Sequence, residues 1–257
     1  MPSSKLRNLY WRILLIGLSV TVLVMLGFVV SGWWKERRAQ FIRYEAFGID
    51  IPVNYSIHGI DVSKYQDVID WESVKEMKVD EIRISFAFIK ATEGLRSEDI
   101  HFKRNWKRAK DAGLARGAYH FFLSTKSGKQ QAESFIKRVK LEPGDLPPVL
   151  DVEQTYGVPA TKLRQRVKEW LDTVEEYYGV KPIIYTNVDF YKQVLKDEFD
   201  AYPLWVAHYL QPHRPRIHRD WVFWQHSETG RVNGIRHAVD FNVFNGDSTA
   251  FAELLVK

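Results

Sequence analysis

Residues 146–153 (LPPVLDVE) constrain the fold most, because an apolar run there ends in two carboxylates at alternate positions. Side chains alternate across a strand, so Asp151 and Glu153 point to one face, with Cα atoms about 6.7 Å apart. The intervening Leu150 and Val152 point to the other side, and a strand that is apolar on both faces is typical of a buried parallel sheet. One acid could cap a turn. Two acids on one face favour acid/base chemistry on a glycoside or an ester.

From residue 57 onward, short apolar runs alternate with amphipathic stretches, which predicts βα units and a largely parallel sheet. The helical period is clearest in 160–178, and weaker helical patterns occupy 70–78, 101–112, 127–139, 188–197 and 248–256. The eight candidate strands are 57–62, 82–91, 115–123, 148–153, 182–186, 204–208, 221–225 and 238–241. Because helices separate only the early strands, the pattern predicts an α/β barrel that lacks its late helices.

The amino-terminal region contains an uncharged run, residues 13–34, which as a helix could span about 30 Å of hydrocarbon. A cleavable signal peptide is the alternative, but the run exceeds the roughly 7–15 apolar residues of a signal core and no small-x-small site follows. We therefore expect a basic cytoplasmic segment at 1–12, a transmembrane signal anchor at 13–34, a linker at 35–56 and a catalytic domain at 57–257. Lys and Arg flank the run on both sides, so charge alone does not set the topology.

The net charge of +5 comes entirely from residues 1–47, which hold seven Lys and Arg and two Glu. The rest of the chain is neutral, so the basic excess indicates a membrane and we expect no nucleic-acid partner. The absence of Cys excludes disulfides and thiolate metal sites. The eight His show no HExxH-like spacing, and no nucleotide-binding or GxSxG motif occurs. We expect no metal and no cofactor.

Polar and aromatic residues follow the ends of the predicted strands, and catalytic residues of a parallel barrel lie at these strand ends. The expected catalytic acids are Asp61, Asp151, Glu153 and Asp240. His120 is expected to be a hydrogen-bonded structural histidine. Acidic and aromatic side chains together predict a cleft that suits a polysaccharide. The expected substrate-binding residues are Lys90, Glu93, Tyr119, Tyr185, Trp205, Tyr209, Trp224 and Gln225.

Several motifs resemble those of family 25 of the glycoside hydrolases, the Chalaropsis-type lysozymes. They are HGIDVSKYQ at 58–66 with IDW at 69–71, FIKATEG at 88–94, GAYHF at 117–121, LDVE at 150–153, WQ at 224–225 and VDFNVFNG at 239–246. The resemblance covers about 57–257. It implies an irregular (β/α) barrel of five β/α units and three final strands. It also implies cleavage of the β-1,4 bond after N-acetylmuramic acid in peptidoglycan, and the family's acids map onto the four named above.

Two other functions stay open at this stage. A chitinase-like enzyme would carry DxxDxDxE, but aligning that motif on Glu153 puts Val149 and Leu146 where its first two Asp should be. A membrane-tethered wall-binding protein without activity is the second alternative. For a muramidase, Glu153 is the expected general acid, with an ionised Asp151 raising its pKa. The substrate's N-acetyl group could act as nucleophile, steadied by Asp151. We expect a single-pass protein of the bacterial inner membrane, with its catalytic domain outside the cytoplasm.

Overall fold

The computed structural model describes residues 4–36, 41–211 and 214–257 of the 257-residue chain. Residues 1–39 and 40–257 form two separate compact units. The first unit contains one helix, α1 (Ser4–Glu36). Among the described residues, no helix combines the length and the apolar character needed to cross a membrane. The predicted segment 1–12 and the ends of the predicted span, at 13 and 31–34, lie outside the residues whose side chains are described.

The second unit is a closed eight-stranded barrel. Its strands, in the order in which they pair around the barrel, are β3 (His58–Val62), β5 (Ile82–Glu93), β7 (Ala115–Phe121), β8 (Val149–Asp151), β9 (Ile183–Asn187), β10 (Leu204–Ala207), β11 (Phe223–Gly230) and β12 (Val239–Phe244). All neighbours from β3 to β11 are parallel, whereas β12 is antiparallel to both β11 and β3 and closes the barrel. Short strands β4 (Lys78–Val79) and β6 (Ser97–Glu98) pair with β5.

Helices follow the first five barrel strands, as the sequence predicts. They are α2 (Trp71–Glu76), α3 (Phe102–Asp111), α4 (Gly128–Ile136), α5 (Ala160–Tyr178) and α6 (Val188–Phe190), which continues as helical turns to Phe199. In the described chain no helix separates β10, β11 and β12, and α7 (Ser248–Leu254) ends the fold. The prediction of an α/β barrel with five β/α units and three final strands is confirmed.

Large aromatic side chains fill the barrel interior beneath the site. Phe86 and Phe88 of β5 pack against Phe223, with ring centroids 5.0 and 5.1 Å away. Glycines on the adjacent strands make room for them, because a Cβ on Gly59 would lie 2.4 Å from the Phe86 ring and one on Gly117 would lie 2.5 Å from the Phe88 ring. This close packing makes the interior a solid floor for whatever lies at the strand ends.

The segment predicted as a linker, 35–56, is in part structured, which corrects the predicted start of the barrel domain. Strands β1 (Phe41–Tyr44) and β2 (Ile49–Pro52) form an antiparallel hairpin that belongs to the barrel unit. Phe47 in its turn is fully buried and packs edge-on against Phe241 of β12, 5.4 Å between centroids. Because β11 and β12 have no crossover helix, the hairpin covers their apolar outer faces instead.

Candidate functional site

A cleft of about 460 Å³ lies at the carboxyl ends of the parallel barrel strands. Ten of the twelve predicted site residues line it: Asp61, Lys90, Tyr119, Asp151, Glu153, Tyr185, Trp205, Tyr209, Gln225 and Asp240. Glu93 and Trp224 do not. The cleft therefore brings together all four predicted acids, although they lie on β3, at or just after the end of β8, and on β12, and are separated by up to 179 positions in the sequence.

Asp151 and Glu153 share one side of the cleft floor. Asp151 is the last residue of β8 and only 6% exposed, and Glu153 follows two positions later. Burial first, and then the charge of Glu153, raise the pKa of Asp151 well above its ordinary value. Burial also raises the pKa of Glu153, against hydrogen bonds from Asp151 and Asn187 that oppose the shift. The two carboxyls thus share a proton, and Asp151 is the hydrogen-bond donor between them.

This arrangement corrects one expectation, that an ionised Asp151 raises the pKa of a protonated Glu153. In the structure Glu153 accepts hydrogen bonds from Asp151 and from Asn187, so Glu153 is the more anionic member of the pair. The amide of Asn187 is oriented because its Oδ1 accepts from the backbone N–H of Phe190 at 2.8 Å. One oxygen of Asp151, Oδ1, is buried with no hydrogen-bond partner among the described residues.

Asp61 lies on the opposite side of the cleft at the end of a polarised hydrogen-bond chain. Its Oδ2 accepts from Gln225 Nε2 and from Asn242 Nδ2, each at 2.8 Å. Gln225 Oε1 in turn accepts from the hydroxyls of Tyr185 and Tyr209, at 2.8 and 2.5 Å. Burial raises the pKa of Asp61, and these amide donors oppose that rise. Two donors on one oxygen make Asp61 the anionic acceptor of the network.

Asp240 is the protonated partner of Asp61 and donates a hydrogen bond to it. The antiparallel closure of the barrel sets Asp240 of β12 directly opposite Asp61 of β3. Burial, the negative charge of Asp61 and the hydrogen bond donated to it raise the pKa of Asp240 to about 9. The cleft therefore contains two pairs of carboxyls in which one member donates a hydrogen bond to the other, so its negative charge is smaller than that of four ionised acids.

Lys90 is the cation of the cleft. Its Nζ lies 2.7 Å from Glu93 Oε2 and 4.6 Å from the centroid of the Phe121 ring. The Lys90 charge lowers the pKa of Asp151, against the larger effect of burial. Glu93 lies outside the cleft lining, so its contact with Lys90 makes it a residue that orients the cation rather than one that lines the site.

Trp205 and Trp224 differ in where their rings point. Trp205 lies in the barrel, 2% exposed, stacked 4.3 Å from Phe88, and its Nε1 donates to Asn242 Oδ1 at 2.7 Å. It is the floor of the cleft. Trp224 is on the outer face of β11, buried beneath the hairpin residue Phe41 with centroids 5.8 Å apart. Trp224 therefore does not line the cleft, contrary to expectation, because its neighbour Gln225 takes the inward position.

His120 is structural, as predicted. Its Nδ1 pairs with Thr92 Oγ1 at 2.7 Å, its Nε2 pairs with Gln131 Oε1 at 3.2 Å, and its ring stacks on Trp170. Across 4–36, 41–211 and 214–257, no three His, Asp or Glu side chains are arranged to hold a metal ion.

Several further residues of the cleft were not predicted from the sequence. Those that line the cleft or hold its acids are Val62, Ser63, Tyr65, Gln66, Phe121, Asn187, Glu228 and Asn242. Tyr65 is 71% exposed at the rim, a position open to sugar stacking. All of these residues except Asn187 and Glu228 lie inside the motifs that carry the resemblance, and their place in those motifs could have identified them.

Comparisons with known proteins place this architecture among enzymes of one family. The sequence profile of glycosyl hydrolases family 25 matches residues 60–235. The uncharacterized protein YegX of Escherichia coli (strain K12) is 50% identical over 202 residues, covering 79% of this chain and 74% of YegX. Lysozyme M1 of Streptomyces globisporus is 35% identical over 217 residues, covering 77% of this chain and 71% of the lysozyme. The structure of a family 25 glycosyl hydrolase from Bacillus anthracis matches with a TM-score of 0.74 and 31% identity, covering 84% of this chain and 100% of that one.

Proposed function

The protein belongs to family 25 of the glycosyl hydrolases, and we propose that it is a Chalaropsis-type N-acetylmuramidase that cleaves the β-1,4 bond between N-acetylmuramic acid and N-acetylglucosamine in peptidoglycan. The observation that carries the proposal is the proton-sharing pair of Asp151 and Glu153 in a cleft lined by aromatic side chains. Glycoside cleavage needs a proton donor at the leaving oxygen and negative charge near the oxocarbenium-like centre, and this pair can supply both.

Glu153 is the general acid in this proposal. It extends two residues beyond the end of β8, whereas Asp151 stays within the strand and deeper in the cleft. The bound glycan presents its acetamido N–H to Asp151, whose Oδ1 is otherwise without a partner. Accepting that N–H favours the ionised form of Asp151, so the shared proton passes to Glu153. Glu153 then donates it to the glycosidic oxygen as the bond to the anomeric carbon breaks.

The acetamido oxygen of the substrate acts as the nucleophile and forms a bond to the anomeric carbon as the leaving group departs. The geometry supports this route because Asp151 and Glu153 are in hydrogen-bond contact. A two-carboxylate mechanism places its acids on opposite sides of the bond, about 5–5.5 Å apart for retention and 6.5–9.5 Å apart for inversion. Asp151 instead steadies the acetamido group, and water then opens the cyclic intermediate with Glu153 as base.

Asp61 and Asp240 bind and orient the sugar without donating the catalytic proton. Asp61 is held as an anion by two amide donors, and the charge of Asp61 raises the pKa of both Asp151 and Glu153. The negative charge of Asp61 thus helps Asp151 and Glu153 to retain the proton that is used in catalysis. Lys90, Tyr119, Tyr185 and Tyr209 provide further contacts for the glycan.

The test is the hydrolysis of purified peptidoglycan by the full chain in mild detergent. The full chain is used, and it retains the hairpin at 41–52, which is part of the barrel unit. Glu153→Gln keeps the side-chain shape but has no proton to donate, so turnover should fall about 10²- to 10⁴-fold while glycan binding survives. The residual rate should lose the basic limb of the pH profile, since that limb reports deprotonation of this group.

Glu253→Gln is the matched control, since Glu253 is exposed on α7. Borohydride reduction of the new ends identifies the sugar, and muramitol is the expected product. Glucosaminitol would favour a different glycosidase. No release of reducing ends by the parent would favour a wall-binding protein without activity. A folded Glu153→Gln within threefold of the parent rate would place the general acid elsewhere.

We further propose that residues 13–34 anchor the protein in the bacterial inner membrane and that the catalytic domain lies outside the cytoplasm. The support is the uncharged run in the sequence and the wall location of the proposed substrate. A carboxyl-terminal alkaline phosphatase fusion should be active in bacteria and recovered with membranes. An inactive phosphatase beside a fluorescent GFP fusion would reverse the topology.

A further inference from the structure

A second cavity, of about 520 Å³, lies where the start of α2, helix α3 and the β11–β12 loop meet. We call it the arginine groove, because Arg104 and Arg108 of α3 line it together with Arg236 of the loop. Arg104 and Arg108 are one helical turn apart and so lie on the same face of α3. In the part of the chain that the structure describes, none of the three guanidinium groups makes a hydrogen bond or an ion pair within 4 Å. Three guanidinium groups without a hydrogen bond or ion pair among the described residues therefore line one cavity.

The walls of the arginine groove are fixed by backbone contacts. The N–H of Asp70 donates to the carbonyl of Gly234 at 3.0 Å, which ties the two lining segments together. Gly234 has φ +84, and a Cβ there would lie 2.3 Å from the Asp70 carbonyl oxygen, so only glycine fits. Buried Trp71 adds an apolar surface. The groove is therefore a built feature of the fold, with its shape set independently of the arginines.

Acidic residues in the groove offset only part of its positive charge. The Ser73 hydroxyl donates a hydrogen bond to Asp70 at 2.6 Å and lowers its pKa, so Asp70 stays ionised, and Asp70 and Glu72 together offset two of the three arginine charges. Glu72 is exposed and its carboxylate has no partner among the described residues. The groove thus presents three guanidinium groups, which suit the bidentate binding of carboxylates, and one free carboxylate, which suits an amine.

The arginine groove adjoins the catalytic cleft. Gln66 lines the cleft and Val68 lines the groove, and two residues along the chain span about 7 Å at most. On the other segment Arg236 lines the groove and Asp240 the cleft. Gln66 Nε2 donates to the carbonyl of Ala238 at 2.9 Å, which joins the two segments at the boundary. One extended ligand can therefore occupy both.

We propose that the arginine groove binds the stem peptide of the peptidoglycan strand whose glycan occupies the cleft. This inference rests on the proposed muramidase function. The muramic acid residue carries a short peptide with free carboxylates, and the negative charge that remains on the two carboxyl pairs of the cleft repels such groups. The adjacent guanidinium groups accept the peptide carboxylates instead, and Glu72 receives a free amine of the peptide. The groove makes the enzyme prefer glycan that still carries its peptides.

The test compares two substrates, intact peptidoglycan and the same glycan after an amidase has removed the peptides. The triple variant Arg104→Gln, Arg108→Gln, Arg236→Gln should raise KM on intact peptidoglycan about tenfold with kcat unchanged, because exposed ion pairs are individually weak. On the peptide-free glycan its KM should equal that of the parent. The matched control replaces three exposed cations away from both cavities, Arg83, Lys126 and Lys129, by Gln.

The outcomes distinguish a failure of the groove proposal from a failure of the proposed muramidase function. If the groove variant keeps the parent KM on intact peptidoglycan, the groove does not bind peptide, although the muramidase stands. If KM rises equally on both substrates, or if the control variant behaves the same way, a stem-peptide site is excluded. Failure of the parent itself to release muramic ends from either substrate would overturn the proposed function, and it would be seen before any variant is compared.

Discussion

Replacing Asp240 by Asn tests whether the Asp240 carboxyl is protonated in the folded protein. In the structure Asp240 donates a hydrogen bond to Asp61, and its pKa is raised to about 9 by burial and by the Asp61 charge. The Asn side chain is almost isosteric with a protonated Asp, and its amide can make the same donation. The variant therefore mimics the folded protein at neutral pH while it changes the unfolded chain, in which Asp240 is ionised.

The size of the effect follows from linkage. An unperturbed Asp has a pKa of about 3.9, so keeping Asp240 protonated in the folded state at pH 7 costs about 4 kcal/mol. Because Asp61 and Asp240 share the proton, we expect Asp240→Asn to raise the free energy of unfolding by about 2–4 kcal/mol at pH 7. Below about pH 4 the carboxyl is protonated in both states, so the gain vanishes there. It grows with pH up to about 9 and then levels off.

Thermal unfolding of the full chain, followed by near-ultraviolet circular dichroism, measures the effect. At pH 7 the midpoint of Asp240→Asn should rise by about 5–15 °C, and at pH 4 it should match the parent. Asp197→Asn, an exposed change of the same chemistry, should show no such pH dependence. Turnover at pH 7 should stay within about tenfold of the parent. A midpoint unchanged at pH 7, or shifted equally at pH 4 and 7, would show that Asp240 is ionised in the fold.

Two further variants test the hairpin and the outer face of β11. Phe47→Ala should lower the free energy of unfolding by about 3–5 kcal/mol in urea titrations, since a fully buried ring is lost, while the rate per folded molecule stays unchanged; a loss below 1 kcal/mol would mean that the hairpin is dispensable. Trp224→Phe removes the bond from Nε1 to the His208 carbonyl at 2.9 Å and should cost about 1–3 kcal/mol with an unchanged KM for glycan. A tenfold higher KM in folded Trp224→Phe would show instead that Trp224 contacts the glycan.

Strand alternation explains most of what the sequence predicts correctly and also its main error. The Asp-x-Glu spacing predicts that Asp151 and Glu153 share a face, and the structure has both in the cleft. The same rule forbids two adjacent residues from facing inward, so Trp224 and Gln225 could not both line the cleft. Phe223 fills the barrel interior and Gln225 reaches Asp61, which leaves Trp224 on the outer face.

The hairpin escaped prediction because its signal is short. Each strand has four residues, and the segment lies between a charged stretch and the first barrel strand. Its value to the fold comes from tertiary structure, since Phe47 and Ile51 cover a sheet face that is bare only because the late helices are missing. A pattern read locally carries no information about that bare face.

The proton-sharing pairs depend on barrel closure, which no local pattern encodes. Asp61 and Asp240 are neighbours because β12 runs antiparallel and its register sets these two residues opposite each other. A register shifted by one residue would turn Asp240 to the outer face, and Asp61 would lose the carboxyl that donates a hydrogen bond to it. Since the Asp61 charge also raises the pKa of both Asp151 and Glu153, such a shift would weaken proton retention on the opposite side of the cleft. The order of the last three strands therefore contributes to the acidity of a pair that lies on a different strand, β8.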